Sequence, residues 1–545
     1  MLACVAPLAP SAQTSPDDAL RAALDARVKA IPGSGIALAV SGDSGKTMFA
    51  GTSGTSRRLD AATIFEIGSV TKTFTATILA SMVLDGSVKL SDPVEAYVPA
   101  SVHVPSGPSG RKITLLDLAT QHSGLPRLPT NLNPQDPANP YADYTLPDLY
   151  AFLTSYKLTR DPGARYEYSN LGFGLLGIAL ANREHTTYAK LLRQRVLDPL
   201  GMHDTDLATS FTKDARFAKG GSPEGNAVSP WTQDAIASAG GIRSNLGDML
   251  KYARCNMGVG PLAAACLFAQ QPRSDYTGHK IGLAWYSDDA NGIVHHGGDT
   301  YGYHASVAIA SDRKTAVVVL ANGGLPVDDI GVSALDPRVT VVQAEPIVRP
   351  EPAALEAYTG SFGIERAPAG ITMSIARVDD RLTAQLTGQV ATPLYPAGPD
   401  TFESHIVNAR FVFSRDAHGA VNGFVLYQNG IALTATKPGI AAAAIVVPTP
   451  SPEPAFAVDP STLASYAGTY SDGDSVNFVA TVDGNKLMLR LDDQPSFEVF
   501  PVSADHFSYK VVAARIVFER DAAGAVNDLV LHQNGRILTA IKEKP

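Results

Sequence analysis

An internal repeat in the last third of the chain restricts the fold more than any other feature of the sequence. Residues 409–416 (ARFVFSRD) match residues 514–521 (ARIVFERD), an offset of 105 positions. The match continues through Gly-Ala-Val-Asn at 419–422 and again at 524–527. A segment that recurs at a fixed spacing is one structural unit present more than once. The sequence therefore predicts two copies of one small domain near its C-terminal end.

Each copy reads as short alternating strands separated by Asp-Gly, Asn-Gly and Pro turns. Closing such strands into an antiparallel barrel removes exposed edges. We therefore predict two small lipocalin-like β-barrels, without catalytic residues, in which His418, Asp505 and His506 are surface residues. The predicted boundaries are a terminal segment 1–16, a first domain 17–335, a linker 336–352, a barrel 353–440, a linker 441–457 and a barrel 458–545.

The stretch 65–75 (FEIGSVTKTFT) offers a nucleophile and a base. Ser69 and Lys72 are three residues apart, so a helix beginning at Ser69 places the amine beside the hydroxyl. Ser-x-x-Lys also arises by chance, most often as a serine N-cap before a solvated lysine. Here the residues up to Leu84 are largely apolar or threonine and lead into Asp85-Gly86, which predicts a buried helix. A buried lysine loses proton affinity and can activate the serine.

A second polar cluster, Tyr-Glu-Tyr-Ser-Asn at 166–170, precedes an apolar helix at 171–181. Ser169 or Asn170 reads first as a helix N-cap. A tyrosine beside an ammonium has a lowered pKa and can relay protons, and an asparagine amide can orient a substrate carbonyl. Both interpretations stay open at this point.

The third cluster, IVHHGGDTYG at 293–302, precedes a strand-like segment at 304–310. Strand alternation sends His295 and His296 to opposite faces, so at most one of them faces a given pocket. The alternative is a pair of turn histidines with ordinary partners. Neither this cluster nor the rest of the sequence shows metal-ligand spacing, so we expect no metal and no cofactor.

Composition narrows the classes of partner. The chain has 545 residues, a formal net charge of −9 and 45% hydrophobic residues, which indicates two or three ordinary globular domains. An acidic balance argues against nucleic acid and anionic membranes as partners. No apolar run is long enough to span a bilayer, so the expected partner is a small-molecule substrate.

Taken together, the three clusters and their order resemble the penicillin-recognising serine hydrolases, a superfamily of class C β-lactamases, D-aminopeptidases, DD-carboxypeptidases and β-lactamase-like carboxylesterases. The resemblance covers about residues 17–326 and includes Lys-Leu-Ser-Asp-Pro at 89–93 and Pro-Leu-Gly-Met at 199–202. It implies an α+β domain with an antiparallel sheet, flanking helices and a helical subdomain. A following pair of barrels resembles the three-domain D-aminopeptidases, in which the barrels restrict which substrates enter.

The resemblance also implies roles for individual residues. Ser69 would be acylated, while Lys72 and Tyr168 share the role of base. Asn170 would contact the substrate, and His296 would stand on the strand that borders the site. The oxyanion would bind the backbone N–H groups of Ser69 and Asp299, and Gly298 would belong to the same group of substrate and oxyanion residues.

One departure from the family pattern bears on the substrate. Where β-lactamases carry Lys-Thr-Gly, this chain has His296-Gly297-Gly298. A histidine is largely neutral at pH 7, which argues against strong β-lactamase activity. His-x-Gly resembles the D-aminopeptidases, so we expect a hydrolase of short peptides or amides with D-residues. A carboxylesterase and a non-catalytic binder of cell-wall fragments or β-lactams are the alternatives, and an intact Ser69, Lys72 and Tyr168 argues against the binder.

The N-terminal residues and the cysteines bear on localisation. Residues 1–13 are small and apolar, as at the end of an export signal, although a basic leading segment is absent. A frayed Ala/Pro-rich end is the alternative. Cys255 and Cys266 remain if Cys4 leaves with a leader, and an exported protein can join them in a disulfide. We therefore expect a periplasmic or extracellular protein.

Overall fold

A computed structural model gives the fold of most of the chain. It describes residues 15–545 except 32, 43–44, 137–138, 223–226, 277–278, 288–290, 324–325, 337–338, 340, 342–351, 366–370, 379–380, 388–390, 405–408, 429–430, 443–444, 446–457, 472–476, 485, 492–495, 504, 510–513, 521–523, 534–535 and 544–545. The chain divides into two compact units, the first ending at residue 346 apart from residues 275–279, and the second beginning at Ile347. We describe each unit by itself.

A large sheet forms the centre of the first unit. Its strands are β1 (Gly35–Ser41), β2 (Lys46–Gly51), β5 (Ser274–Tyr276), β6 (His279–Ile281), β7 (Tyr286–Ser287), β8 (Val294–Asp299), β9 (His304–Ile309) and β10 (Ala316–Ala321), and β3 (Ile64–Glu66) pairs separately with β4 (Arg243–Asn245). The described strands of the sheet follow the order β2-β1-β10-β9-β8-β7-β6-β5. β8 pairs antiparallel with β9, with His296 opposite Val307.

Helices cover both faces of this sheet. They are α1 (Pro16–Ala30), α2 (Thr71–Leu84), α3 (Leu115–Ala119), α4 (Leu146–Ser155), α5 (Asn170–Arg183), α6 (Tyr188–Leu192), α7 (Asp198–Leu200), α8 (Ala237–Gly240), α9 (Leu246–Asn256), α10 (Ala263–Gln270) and α11 (Asp328–Ser333). α1 and α11 pack on one face through Leu24, Leu38 and Val319. Ala37 and Ala39 point to the opposite core, as strand alternation requires.

The helix that carries the Ser-x-x-Lys motif is buried on nearly every side. A 3-10 turn, Gly68–Val70, leads into α2, so the regular helix begins two residues later than the sequence predicts. Threonine hydroxyls in this helix find partners inside and outside it: Thr77 Oγ1 donates to the Thr73 carbonyl at 3.0 Å, and Thr75 Oγ1 donates to the Ser238 carbonyl at 2.7 Å. Gly86, at φ +79°, follows the helix end and confirms the predicted glycine stop.

The second unit contains two closed antiparallel barrels, each built from eight of the described strands. The first comprises β11 (Gly360–Ile364), β12 (Thr372–Val378), β13 (Arg381–Leu386), β14 (Thr392–Gly398), β15 (Thr401–Ser404), β16 (Ala409–Arg415), β17 (Val421–Gln428) and β18 (Ile431–Thr436). The second comprises β19 (Gly468–Ser471), β20 (Asn477–Asp483), β21 (Lys486–Leu491), β22 (Phe497–Ser503), β23 (His506–Tyr509), β24 (Ala514–Arg520), β25 (Val526–Gln533) and β26 (Arg536–Lys542). Short helices, α12 (Pro352–Leu355) and α13 (Pro460–Tyr466), precede them.

The same three side chains recur in both barrels, and we call each set a Tyr-Asp-Arg latch. In the first barrel the Tyr358 hydroxyl donates to Asp400 at 2.7 Å, and Arg415 Nε donates to the same carboxylate at 2.9 Å. The guanidinium also lies over the tyrosine ring, 5.1 Å from its centroid. The latch therefore ties the segment before β11 to the β14–β15 turn and to β16.

Tyr466, Asp505 and Arg520 form the matching latch in the second barrel. The Tyr466 hydroxyl donates to Asp505 at 2.9 Å, and Arg520 Nε donates to it at 2.8 Å. Burial opposes ionisation of Asp505, but the Arg520 and Tyr466 hydrogen bonds outweigh it and lower the pKa of the carboxyl. Asp505 is partly exposed, with 30% of its side chain accessible, in agreement with its prediction as a surface residue, and the repeat also supplies its two partners.

Several expectations concern segments that the structure describes only in part. The signal-like residues 1–14, most of the linker 336–352 and most of the linker 441–457 lie outside the described residues. Cys255 and Cys266 are joined, with Cα atoms 5.9 Å apart, as an exported protein would allow. The described residues of the predicted loop 129–144 contain no helix or strand, and Tyr141 packs edge-on against Trp231 at 5.1 Å.

The first barrel should lose stability when its latch is broken. Arg415→Met removes two charge-assisted hydrogen bonds to Asp400, so we expect a loss of about 1–2 kcal/mol and a lower melting temperature of that barrel. Calorimetry of the full chain measures this. Arg410→Met is the matched control, because Arg410 lies 3.8 Å from Glu403 in a partly exposed pair that contributes little. Equal shifts for the two variants would contradict the latch.

Candidate active site

Ser69 lies in the 3-10 turn before α2 and is partly exposed. The residue before it, Gly68, has φ +48°, and a Cβ there would lie 2.6 Å from the backbone nitrogen of Asp299. Only glycine permits that backbone conformation together with so close an approach. The end of β8 therefore reaches the nucleophile's own turn.

The Lys72 amine lies at the centre of the site and is fully buried. Its Nζ is 3.0 Å from Ser69 Oγ, 2.7 Å from Asn170 Oδ1 and 2.8 Å from the carbonyl oxygen of Ala239. These neighbours come from the nucleophile's turn, from α5 and from α8. Helix α2 thus places Lys72 beside Ser69, and hydrogen bonds to α5 and α8 fix the orientation of its amine.

Burial lowers the pKa of Lys72 well below its ordinary value of 10.5, and the charge of Arg127 lowers it further. A neutral amine keeps two N–H groups and one lone pair. Asn170 Oδ1 and the Ala239 carbonyl oxygen can only accept, so they take the two N–H groups. The lone pair is then left facing Ser69 Oγ, which is the orientation a base needs.

Tyr168 approaches the nucleophile from the other side. Its hydroxyl is 2.6 Å from Ser69 Oγ, and its ring centroid is 4.7 Å from Lys72 Nζ. Burial raises the pKa of Tyr168 to about 12, although the Ser69 hydrogen bond and the charge of Arg127 act in the opposite direction. The expectation of a lowered tyrosine pKa is therefore wrong for this state. Tyr168 therefore keeps its proton, and its hydroxyl donates a hydrogen bond to Ser69 Oγ.

Ser169 and Asn170 divide the two functions that the sequence left open between them. Ser169 is the N-cap of α5, and its hydroxyl accepts from the Gly172 N–H at 2.8 Å. Asn170 is the first residue of that helix, and its Oδ1 accepts from Lys72. The structure therefore joins Asn170 to the lysine, and its contact with substrate stays a prediction.

The strand β8 borders the site with alternating residues. A Cβ on Gly298 would lie 2.1 Å from the Ile67 carbonyl oxygen and 3.0 Å from the Ser69 nitrogen, so this residue faces the nucleophile. A Cβ on Gly297 would instead meet Asp328 of α11 at 2.3 Å. His296 shares the face of Gly298, and His295 lies on the opposite face, as the alternation predicts.

His296 is buried and uncharged. Its Nδ1–H donates to the Gly297 carbonyl oxygen at 2.5 Å, while its Nε2 has no hydrogen-bond partner among the described residues. Burial and the nearby Lys72 lower the pKa of His296 to about 3. The ring packs beside Tyr286 with centroids 5.3 Å apart. This strand therefore presents no positive charge to the site at neutral pH.

Asp299 ends β8 with its backbone beside Gly68 and its side chain turned to His304. Its Oδ1 pairs with His304 Nδ1, and the carboxylate side chain is 61% exposed. Although the side chain reaches solvent, the partial loss of hydration around it opposes ionisation, and the charge of His304 and its hydrogen bond outweigh this and lower the pKa of Asp299. The backbone nitrogen of Ser69 follows Gly68 in the chain, and the backbone nitrogen of Asp299 would lie 2.6 Å from a Cβ on Gly68. Two backbone N–H groups beside a nucleophile can stabilise an oxyanion.

Two contributors escaped the sequence reasoning. The Ala239 carbonyl oxygen carries no sequence signal, because any residue supplies one. Arg127 follows Gly-Leu-Pro at 124–126, and its guanidinium carbon lies 4.9 Å from the Tyr168 ring centroid. A cation directly after a motif that the family shares was the available signal. Arg127 is exposed, and its charge lowers the pKa of both Lys72 and Tyr168.

A buried ion pair braces the strand that leads into the nucleophile. Arg243 of β4 lies 3.2 Å from Glu66 of β3, and both side chains are almost completely buried. Burial raises the pKa of Glu66 to about 7 even though the Arg243 charge lowers it. Removing Glu66 would leave the Arg243 charge buried without its carboxylate, which is destabilising, while the strands themselves pair through their backbones.

Comparison with known proteins identifies relatives of the first unit. The sequence model of the β-lactamase family matches residues 20–335. D-alanyl-D-alanine-carboxypeptidase/endopeptidase AmpH of Escherichia coli (strain K12) is 34% identical over 192 residues, which are 35% of this chain and 48% of that protein. A β-lactamase of Pseudomonas fluorescens is 29% identical over 303 residues, covering 48% of this chain and 80% of that protein. The chain thus spans about half the length of AmpH.

Solved structures support the same fold. A β-lactamase/D-alanine carboxypeptidase from Pseudomonas syringae is 20% identical to this chain, with a TM-score of 0.51. The match covers 59% of this chain and 98% of the chain of that protein. A class C β-lactamase from Rhodobacter sphaeroides is 23% identical with a TM-score of 0.50 over the same shares. At these identities the likeness concerns the fold alone. No described helix is both long and apolar enough to cross a membrane. Because the family model matches more than half of its length, this chain belongs to the β-lactamase family, within the penicillin-recognising serine hydrolases.

Proposed function

We propose that the chain hydrolyses short peptides or amides with D-residues through an acyl-enzyme on Ser69. The observation that carries this proposal is the geometry around Ser69 Oγ, which lies 3.0 Å from a lysine of lowered pKa and 2.6 Å from a tyrosine hydroxyl. A nucleophile with a base in hydrogen-bond reach and a third group that orients the base is the arrangement needed for covalent catalysis.

In acylation, Lys72 takes the proton from Ser69 Oγ as the oxygen attacks the substrate carbonyl. The developing oxyanion binds the backbone N–H groups of Ser69 and Asp299. Tyr168, which is protonated, gives its proton to the leaving amine and is reprotonated by the Lys72 ammonium. The C–N bond breaks, the acyl group stays on Ser69, and Lys72 is again neutral.

In deacylation, water replaces the leaving group, and Lys72 acts again as the base and Tyr168 as the acid. Lys72 takes a proton from water as the water oxygen attacks the ester carbonyl, Tyr168 gives its proton to Ser69 Oγ as the C–O bond breaks, and the Lys72 ammonium then reprotonates Tyr168. The acid is released, and each of the three side chains recovers its starting protonation state. No metal or cofactor takes part in this scheme.

The substrate class rests on two supports. AmpH, by its name, acts on D-alanyl-D-alanine peptides, and its match to this chain has the highest identity among the relatives reported above. The neutral His296 on β8 distinguishes this site from one with a lysine at that position. Both favour a peptidase or amidase over a β-lactamase. The disulfide between Cys255 and Cys266 supports an exported enzyme, since such bonds persist outside the reducing cytosol.

Replacement of the catalytic residues tests the mechanism. Ser69→Ala should abolish turnover, and Lys72→Ala should lower kcat nearly as much, because residues that act as a unit are not additive. Steady-state kinetics and mass spectrometry of the trapped acyl-enzyme measure both effects. Ser56→Ala, which changes an exposed serine, is the control and should behave as wild type. Substantial turnover by Ser69→Ala would refute the acyl-enzyme.

The pH dependence should report the lowered lysine pKa. A base with a lowered pKa is neutral over more of the pH range, so kcat/KM for an uncharged ester should rise with pH through a midpoint well below 10.5. No alkaline decline from Tyr168 is expected up to pH 10, because its pKa is raised to about 12. Lys72→Arg should remove the acid limb along with the activity. If residual activity of Lys72→Arg still rises with pH through the wild-type midpoint, that midpoint belongs to another group.

A panel of three chromogenic substrates tests the substrate class. We expect cleavage of D-alanine anilide, no cleavage of L-alanine anilide, and loss of the D-anilide activity in Ser69→Ala. Hydrolysis of a short-chain nitrophenyl ester with neither anilide cleaved would indicate a carboxylesterase instead. Silence on all three substrates, with wild type still correctly folded, would support a non-catalytic binder.

A further inference from the structure

We infer that Arg127 binds a carboxylate of the substrate and so selects acidic peptides over neutral ones. The inference rests on the proposed function, since it concerns the substrate of the same site. It is carried by an exposed guanidinium that is held beside the catalytic tyrosine and has no ion-pair partner among the residues that the structure describes.

The backbone of Arg127 is anchored at the start of α5. Its carbonyl oxygen accepts from the Asn170 N–H at 3.0 Å and from the Leu171 N–H at 3.4 Å. These are the first amides of the helix that also supplies Asn170 to Lys72. The loop residue is therefore positioned by the same helix end that positions the base.

The side chain extends from this anchor across the face of Tyr168. Its guanidinium carbon lies 4.9 Å from the ring centroid, a cation–π distance, and the residue is exposed. Contact with the ring restricts the side chain, and no hydrogen bond to another described residue uses its N–H groups. A guanidinium restricted in this way loses less freedom when it binds a planar anion.

Arg127 differs from several other arginines of the first unit because no described acidic side chain pairs with it. Within the described part of the chain, no Asp or Glu oxygen lies within the 4.0 Å ion-pair distance of its guanidinium. Arg160, Arg195 and Arg216 of the same unit each pair with an acidic side chain. The charge of Arg127 reaches Asp299 and lowers the pKa of that carboxyl, but Asp299 is paired with His304.

The other basic groups at the site cannot take an anion at neutral pH. Lys72 is buried and its N–H groups are used within the protein, and burial keeps His296 neutral. Arg127 is thus the permanent positive charge that the described residues present beside Tyr168. A carboxylate that docks near Ser69 has this group as its partner.

The geometry limits where the carboxylate lies in the substrate. The path from the guanidinium across the Tyr168 ring and through its hydroxyl to Ser69 Oγ is at most roughly 10 Å, about three residues of extended chain. The carboxylate therefore belongs to a short peptide, either at its C-terminus or on its acyl side. Guanidinium forks match carboxylates in bidentate geometry, and peptides carry this anion.

The test compares matched acids and amides. One pair is acetyl-D-alanyl-D-alanine and its C-terminal amide, and a second pair carries the acid or amide at the end of the acyl group of a D-alanine anilide. We expect wild type to prefer the acid of one pair, and Arg127→Gln to lower that kcat/KM ratio by about tenfold to a hundredfold. The pair that responds identifies the end of the substrate that Arg127 binds. Arg254→Gln, an exposed arginine on α9, is the control and should keep the wild-type ratio.

Charge reversal and direct binding complete the experiment. Arg127→Glu should disfavour the acid more than Arg127→Gln does. If Arg127→Gln lowers kcat/KM equally for acid and amide and shifts the pH profile, Arg127 acts on Lys72 and Tyr168, and the inference is wrong. If wild type hydrolyses none of the substrates, the proposed function fails, and calorimetric binding of the acids to Ser69→Ala with and without Arg127→Gln still decides the role of Arg127. Tighter binding of the acids that disappears with Arg127→Gln supports it, and equal binding overturns it.

Discussion

The buried amine of Lys72 is the interaction on which the rest of the first unit depends. A charged ammonium is costly to bury, so the group becomes a usable base only where the protein removes water and supplies hydrogen-bond acceptors. Those acceptors come from Asn170 and Ala239, which are 98 and 167 residues away along the chain. The helices α2, α5 and α8 therefore have to pack together before the nucleophile has a base. The apolar content of α2 and α5 is the part of the sequence that makes this packing favourable.

A second constraint is the close approach of β8 to the nucleophile's turn. Gly68 faces the backbone of Asp299 and Gly298 faces the backbone of Ile67, and a Cβ on either glycine would overlap main-chain atoms at 2.6 Å or less. This contact places the Asp299 amide beside Ser69, so the candidate oxyanion site is a product of backbone packing. It also explains why β8 tolerates Gly297-Gly298 within a strand, where glycine is otherwise unfavourable. The same strand carries the neutral His296. The positive charge that the described residues place at the site is therefore that of Arg127, in the loop after Gly-Leu-Pro at 124–126.

The two barrels show one solution used twice. Aromatic residues fill the first barrel, with Phe362, Phe402 and Phe413 among its largest buried side chains. Both barrels close their ends with a Tyr-Asp-Arg latch, and the aspartate and arginine of the two latches are 105 residues apart, like the matching sequence segments. The tyrosines are 108 residues apart, which shows that the alignment of the copies slips by three positions between the latch members. The latch is thus a property of the fold that both copies keep despite small insertions.

Much of this organisation was already determined by the sequence. The repeat predicts two barrels, the apolar run after Ser69 predicts a buried helix, and strand alternation predicts that at most one of His295 and His296 faces the nucleophile. The family and the fold follow from the same motifs, and the comparisons confirm both. Only the tertiary structure decided the position of the Ala239 carbonyl oxygen, the raised pKa of Tyr168, and the stacking of Arg127 on its ring. These features depend on burial and on backbone atoms brought together from distant segments, and neither leaves a pattern along the chain.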